Sequence, residues 1–237
     1  MRISQKQDQK IHGDEMRKSK IAAGVAAALL SGTSFAAGIP GLTDTGQGLS
    51  VGALDLNYAF SVVGGTATGT GGYGVVAGAT GSSFPFPYWA PAPAPSQWLA
   101  PATPAGTSYD PASPGVYDWT LTFNLTGYNP ATASFSAKWA TDNAGVVLLN
   151  NAPIAGSASS NFGSFTSFTA NSGFTSGTNT LVFQVTNYAQ NGGNPTGLVV
   201  DFTGSSISPV PEPETYALIA AGLGLMGVVA RRRRRAA

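Results

Sequence analysis

Between Ala37 and Pro209 the chain has few groups with which to do acid–base, nucleophilic or metal chemistry. The acids there are Asp44, Asp55, Asp110, Asp118, Asp142 and Asp201; the one base is Lys138, and this stretch has no glutamate, histidine or cysteine. Hydroxyl and thiol nucleophiles paired with imidazole are therefore excluded, as are imidazole metal sites. Two carboxylates can still hydrolyse a glycosidic bond, and Asp110, Asp118, Asp142 and Asp201 are the candidates. Each has a plainer reading. Asp118 and Asp201 occupy polar positions of alternating strands, where a carboxylate is solvated. Asp110 precedes Pro111, and Asp142 stands in a turn with Asn143 and Gly145, where side-chain-to-backbone bonding is the usual role. The plainer readings carry, so no catalytic residue is expected. Carboxylates in loops suit calcium, but no dense Asp-x-Asp cluster is present. No metal and no cofactor are expected.

Aromatic side chains offer a second kind of chemistry, stacking on sugar rings. Trp119 and Trp139 fall on the apolar faces of alternating segments and read as core. Tyr88, Trp89 and Trp98 lie in a stretch dense in proline, residues 84–115, and are the candidate glycan contacts; the competing role is to anchor that stretch to the rest of the fold. The charge balance narrows the partner further. Six aspartates against one lysine leave residues 37–209 with a net charge of −5, although the whole chain carries +1. Such a surface cannot neutralise a run of phosphates, so nucleic acid is excluded as a partner. A glycan bound here would be neutral. The chain has no cysteine, so no disulfide supports it and stability must come from a packed core.

The two ends carry different signals. Residues 16–20, Met-Arg-Lys-Ser-Lys, are a basic segment; Ile21 to Leu30 is a short apolar run, and Ser34-Phe35-Ala36 supplies small residues before a cut. This is a secretory signal peptide with cleavage between Ala36 and Ala37, and the secretion translocon is the partner it implies. The true start is expected at Met16. At the other end, Pro211, Glu212 and Pro213 precede an apolar run of fifteen residues from Tyr216 to Ala230, and then Arg231, Arg232, Arg233, Arg234 and Arg235. As a helix the apolar run covers about 22 Å, short of a hydrocarbon core of ~30 Å. Arginine stems can reach outward to the headgroups and make up the difference. Basic residues stay cytoplasmic, which puts everything before Pro211 across the membrane.

That three-part order, a Pro-Glu-Pro triplet, a short helix with Gly222, Gly224 and Gly227, and a terminal arginine cluster, resembles the PEP-CTERM sorting signal. The resemblance implies handling by exosortase, a membrane-embedded cysteine protease-like enzyme. It also implies cleavage near Pro211–Pro213 and a setting in bacteria that make extracellular polysaccharide, so exopolysaccharide is a candidate partner. Pro211 and Pro213 suit a recognition site because they hold an extended backbone. The expected organisation is a leader over residues 1–36, a β domain over 37–209, and a sorting signal over 210–237 with its transmembrane helix over 215–230.

Period-2 alternation locates the strands of the middle segment. Leu54, Leu56, Tyr58, Phe60 and Val62 alternate with polar or small residues. Tyr117 to Leu125 and Ala131 to Trp139 do the same, and the turn at Gly127–Pro130 predicts that they form an antiparallel hairpin. Further strands are expected at 146–149, 181–185 and 198–202. Gly64 to Gly81 reads as a loop or hairpin that holds at most a weak strand, residues 84–115 as a long loop, and Phe162 to Phe168 as irregular structure capping the core. The sum is an antiparallel β-sandwich. Trp139-Ala-Thr-Asp142-Asn143, followed by Val146–Leu149 and Asn150-Asn151, resembles the turn and strand of galactose-binding-like jelly rolls. Asn151 stands where those folds have glycine, and asparagine tolerates the left-handed conformation that the turn needs. The segment Gly177-Thr-Asn179-Thr-Leu181 is similar to another strand of the same modules. The resemblance implies a mainly β jelly-roll body between an N-terminal signal helix and a C-terminal membrane helix. It implies no ligand, because such folds host many roles. Two functional readings remain: a non-enzymatic surface or matrix protein, and a module that binds neutral polysaccharide.

Overall fold

The computed structural model describes residues 36–159, 161–211 and 213–236. Residues 1–35 of the expected leader, and Glu212 and the side chain of Pro213 in the expected sorting triplet, lie outside the described residues. Ten strands follow one another: β1 (Leu54–Gly64), β2 (Tyr73–Gly78), β3 (Trp98–Ala100), β4 (Gly115–Asn124), β5 (Tyr128–Asp142), β6 (Ala144–Leu149), β7 (Ala152–Pro153), β8 (Thr166–Ala170), β9 (Thr178–Asn187) and β10 (Gly197–Pro209); a helix, α1 (Pro213–Arg235), comes last. The strands join in one hydrogen-bonded ladder, β7-β6-β9-β4-β1-β2-β3-β10-β5-β8. Neighbours in it are antiparallel throughout.

The ladder folds back on itself into two layers. β5 and β9 stand far apart in the strand order, yet the rings of Trp139 on β5 and Phe183 on β9 meet at 5.7 Å. Phe174 bridges the layers in the same way, touching Phe123 of β4 and Phe135 of β5. One apolar face from each layer supplies the core, where Trp119, Trp139, Tyr117, Leu121, Phe183, Leu181 and Val200 are buried. This is the expected antiparallel β-sandwich.

The predicted hairpin is not formed. β4 pairs with β1 and β9, whereas β5 pairs with β10 and β8. The turn at Gly127 carries the chain from one layer to the other. Two strands with one apolar face each can bury those faces by lying edge to edge over a third element or by facing each other. Alternation looks the same in both cases. In β1 the alternation itself breaks. Leu56 is 68% exposed while Asp55 is buried, and the pairing with β2 shifts between Asp55 and Ala59. A bulge there turns the Asp55 carboxylate inward, where it accepts the N–H of Gly46 (2.7 Å) and of Asn57 (3.1 Å).

Residues 84–115 are more than a loop, because β3 lies inside them and fills the place between β2 and β10. Three residues are too few to show a period. Residues 162–168 also hold a strand: β8 pairs Phe168 with Ala137, and only Phe162 and Phe165 remain irregular. The β2 segment is a full strand with Val75 and Val76 in the core. The turn after β6 takes the expected backbone, with φ of +50° at Asn150 and +69° at Asn151.

Candidate functional site

Two places in the fold could carry function: a small pocket beside the end of β5, and the C-terminal tail. The pocket is built from three connections. The proline-rich segment folds so that Trp89 stacks on Trp98, with ring centres 4.3 Å apart, and meets Phe86 edge-on at 5.9 Å. Gly197, at the start of β10, makes room for the indole: a Cβ there would lie 2.6 Å from the Trp89 ring. The Trp89 Nε1–H donates to Asp142 Oδ2 at 2.9 Å, and the Asn143 amide donates to Asp142 Oδ1 at 2.6 Å. Thr196 Oγ1 donates to the Asp142 carbonyl, the Tyr188 N–H donates to Asn143 Oδ1, and Asn194 Nδ2 donates to the carbonyls of Tyr109 and Tyr188. Over this frame lies an open cavity of about 190 Å³, lined by Phe84, Tyr88, Trp89, Asp142, Asn143 and Asn194 among others.

Of the three expected glycan contacts, the structure leaves only Tyr88 open. Trp89 is 2% exposed and Trp98 is fully buried, so neither presents a ring face to a sugar; they anchor the loop to the sandwich. The prolines around them signalled a fixed loop, but nothing in the local sequence says which ring turns outward. Tyr88 is 64% exposed and meets the exposed Phe84 edge-on at 6.0 Å. Below it, burial pushes the Asp142 carboxyl up to about 6, against the opposing pull of the Trp89 indole. Each Asp142 oxygen is bonded by a protein donor, so the group positions Trp89 and Asn143. The sequence marked Asp142 as a turn former. Its larger role depends on Trp89, fifty-three residues away.

The other three candidate aspartates are also bonded within the fold. Asp110 is buried, at φ +54°. It accepts the Thr66 N–H and the Asn187 amide and is bonded by the Tyr117 hydroxyl. It is thus the centre of a buried network as well as the expected turn residue. Burial and the neighbouring Asp110 push the Tyr117 hydroxyl up to about 12. Asp201, expected in solvent, is largely buried and paired with Lys138 at 3.3 Å. Asp118 is half-buried and accepts the Gln184 amide at 3.1 Å. No group of three or more metal-ligating side chains occurs among the described residues.

The tail begins where the sandwich ends. Pro209 closes β10 opposite Tyr128, and the Val210 N–H donates to the Gly127 carbonyl at 2.9 Å. Helix α1 opens on Pro213, whose fixed φ suits the first turn and whose missing N–H costs nothing there. Residues 216–236 are all exposed, and Leu218 reaches 74%. The last turn carries arginines, which complement the carbonyl end of the helix. No helix among the described residues is long and apolar enough to cross a membrane; the apolar run in α1 stops at Ala230, where the arginines begin.

An antiparallel sandwich that passes directly into a bare apolar helix with a basic end defines a body carried by a C-terminal address. Residues 209–235 match the PEP-CTERM protein-sorting motif. The motif implies an exported protein whose tail is held at the membrane until exosortase, a membrane enzyme, processes it. No curated protein matches the chain. Among solved structures, a family 35 carbohydrate-binding module from an environmental isolate is similar at 14% identity; the match covers 66% of this chain and 98% of that one, with a TM-score of 0.29. That likeness is too low to transfer a ligand or a site.

Proposed function

We propose that the chain is a non-enzymatic protein of the cell surface or extracellular matrix. A signal peptide directs it through the secretion translocon and is cut between Ala36 and Ala37, and exosortase-type processing at Pro211–Glu212–Pro213 releases it. The observation that carries this reading is the tail: a sorting motif set at the end of the last strand, with an exposed apolar helix and five terminal arginines. The helix inserts as a membrane anchor, and the arginine stems make up for its short apolar run by reaching to the headgroups. The body supports a structural role. It has no histidine or cysteine between Ala37 and Pro209, and Asp55, Asp110, Asp118, Asp142 and Asp201 are all engaged by protein donors. Association with exopolysaccharide fits the sorting route. The test is to follow the size and fractionation of Glu212→Ala and of a chain lacking Arg231 to Arg235. Both should persist as a larger, membrane-bound form, and normal processing of both would overturn the reading.

The pocket favours a second reading, in which the body also holds one ring of a neutral polysaccharide. An exposed tyrosine beside a cavity of about 190 Å³ lined by aromatic rings and side-chain amides suits a hydroxyl-rich ring that stacks on one face and bonds at its edge. With Lys138 the only cation of the body and itself paired to Asp201, such binding would be weak and insensitive to salt. Loss of polysaccharide retention in Tyr88→Ala, with unchanged unfolding, supports it; unchanged retention removes it.

A further inference from the structure

The sorting motif follows the sandwich with almost no slack. Only Val210, Pro211 and Glu212 lie between the end of β10 and the start of α1. Fully extended, the four steps from Pro209 to Pro213 span at most about 14 Å. A cleft that holds an extended peptide on both sides of the bond it cuts needs free backbone on the N-terminal side. Here that backbone is bonded into the sheet: Val210 N–H to the Gly127 carbonyl at 2.9 Å, Pro209 opposite Tyr128, and Ser208 N–H to Thr132 Oγ1 at 2.9 Å.

These fastenings differ from the next one inward. Ser208 is half-buried, and Pro209 and Val210 are exposed, so their release uncovers little apolar surface. The pairing with β5 also shifts between Ser206 and Ser208, which separates this end from the regular ladder. Ile207 is fully buried. Its backbone exchanges two hydrogen bonds with Ala37, of 2.9 and 2.8 Å. Peeling Ser208–Val210 is therefore cheap, and peeling further breaks into the core. Ala37 is the expected first residue of the mature chain, so the newly made N-terminus would fasten the strand that leads to the C-terminal cut.

We propose that Ser208–Val210 is a processing latch. The membrane enzyme acts on the state in which these three residues have peeled from Gly127–Thr132, and the Ala37–Ile207 pair stops the peeling. The free segment then runs from Ile207 to Pro213, about 21 Å when extended, enough to enter a cleft while the sandwich stays folded. When such opening is fast, cleavage tracks the population of the open form. The latch therefore sets the processing rate. This rests on the sorting reading above.

The test uses the full chain in a host that carries the processing enzyme, with pulse–chase measurement of how fast the larger form disappears. Six Gly/Ser residues inserted between Val210 and Pro211 supply free backbone without opening the latch, and processing should accelerate several-fold. Thr132→Val removes the acceptor for the Ser208 N–H, together with the exposed bond from Thr132 Oγ1 to the Asn129 carbonyl, and loss of the bond to Ser208 should raise the open population and the rate about three- to tenfold. In the insertion background, Thr132→Val should add nothing. Rates equal to wild type for both single changes would overturn the latch and leave sorting intact. A wild-type chain that is never shortened would instead remove the sorting reading itself.

Discussion

Leucines of the same kind have opposite fates at the two ends of this molecule. Leu181 and Leu198 in the sandwich are fully buried, whereas Leu218 and Leu225 in α1 are 74% and 68% exposed. Burial of such a side chain is worth about 1.5–3 kcal/mol, so a row of exposed ones signals a partner outside the polypeptide. The body shows the reverse. Its four tryptophans are inside, and its buried carboxylates are bonded. The sandwich carries its own stability, and the helix carries none of it and serves an environment that the protein does not supply.

The sharpest break in this comparison comes from the tail. Removing Arg231 to Arg235 should abolish processing while the unfolding midpoint of the body stays where it is, as electrophoresis and calorimetry on the same chain can show. A shift in that midpoint would mean that the helix packs on the sandwich. Next in size are the tryptophans of the body. Trp119→Ala and Trp89→Ala should each cost ~3–5 kcal/mol by denaturant unfolding. A Trp89→Ala variant that unfolds like wild type would return that ring to the surface and to glycan binding.

A smaller effect is read against pH. The Asp142 carboxyl is raised by burial to about 6 in the folded state from an ordinary 3.8. The folded protein therefore holds this proton more tightly than the unfolded chain does. Stability from this group is present below about pH 4 and is lost as pH rises through 6, by up to ~3 kcal/mol. Burial and the charge of Asp201 raise Asp44 in the same direction. Asp142→Asn keeps an acceptor for the Trp89 indole and should flatten that slope between pH 4 and 7, measured as unfolding free energy at each pH. An unchanged slope would assign it to other groups. The smallest effect is at the rim of the pocket, where Tyr88→Ala should change stability by less than ~0.5 kcal/mol.

Much of the sandwich was legible because alternation reports which face a strand buries. Trp119 and Trp139 were core on that ground, and β9 and β10 stood where the pattern put them. What alternation cannot report is which strand lies next to which. β4 and β5 have ideal alternation and a turn between them, yet they lie in opposite layers. β3 was invisible because three residues carry no period and neighbouring prolines read as loop. Asp55 and Leu56 exchanged faces because a bulge resets the register, and a bulge leaves no mark on composition. In the candidate site, the outward turn of Tyr88 and the inward turn of Trp89 depend on Asp142 and Gly197, which are close only after folding. The sorting signal was fully legible because it is a linear message, read in order by another protein.

The central claim, that the body is delivered and the tail is left behind, reduces to one measurement: the intact mass of the protein recovered outside the inner membrane. A chain that begins at Ala37 and ends near Pro211–Pro213, without the arginines, is the predicted result. A recovered chain that retains Arg231 to Arg235 would contradict it.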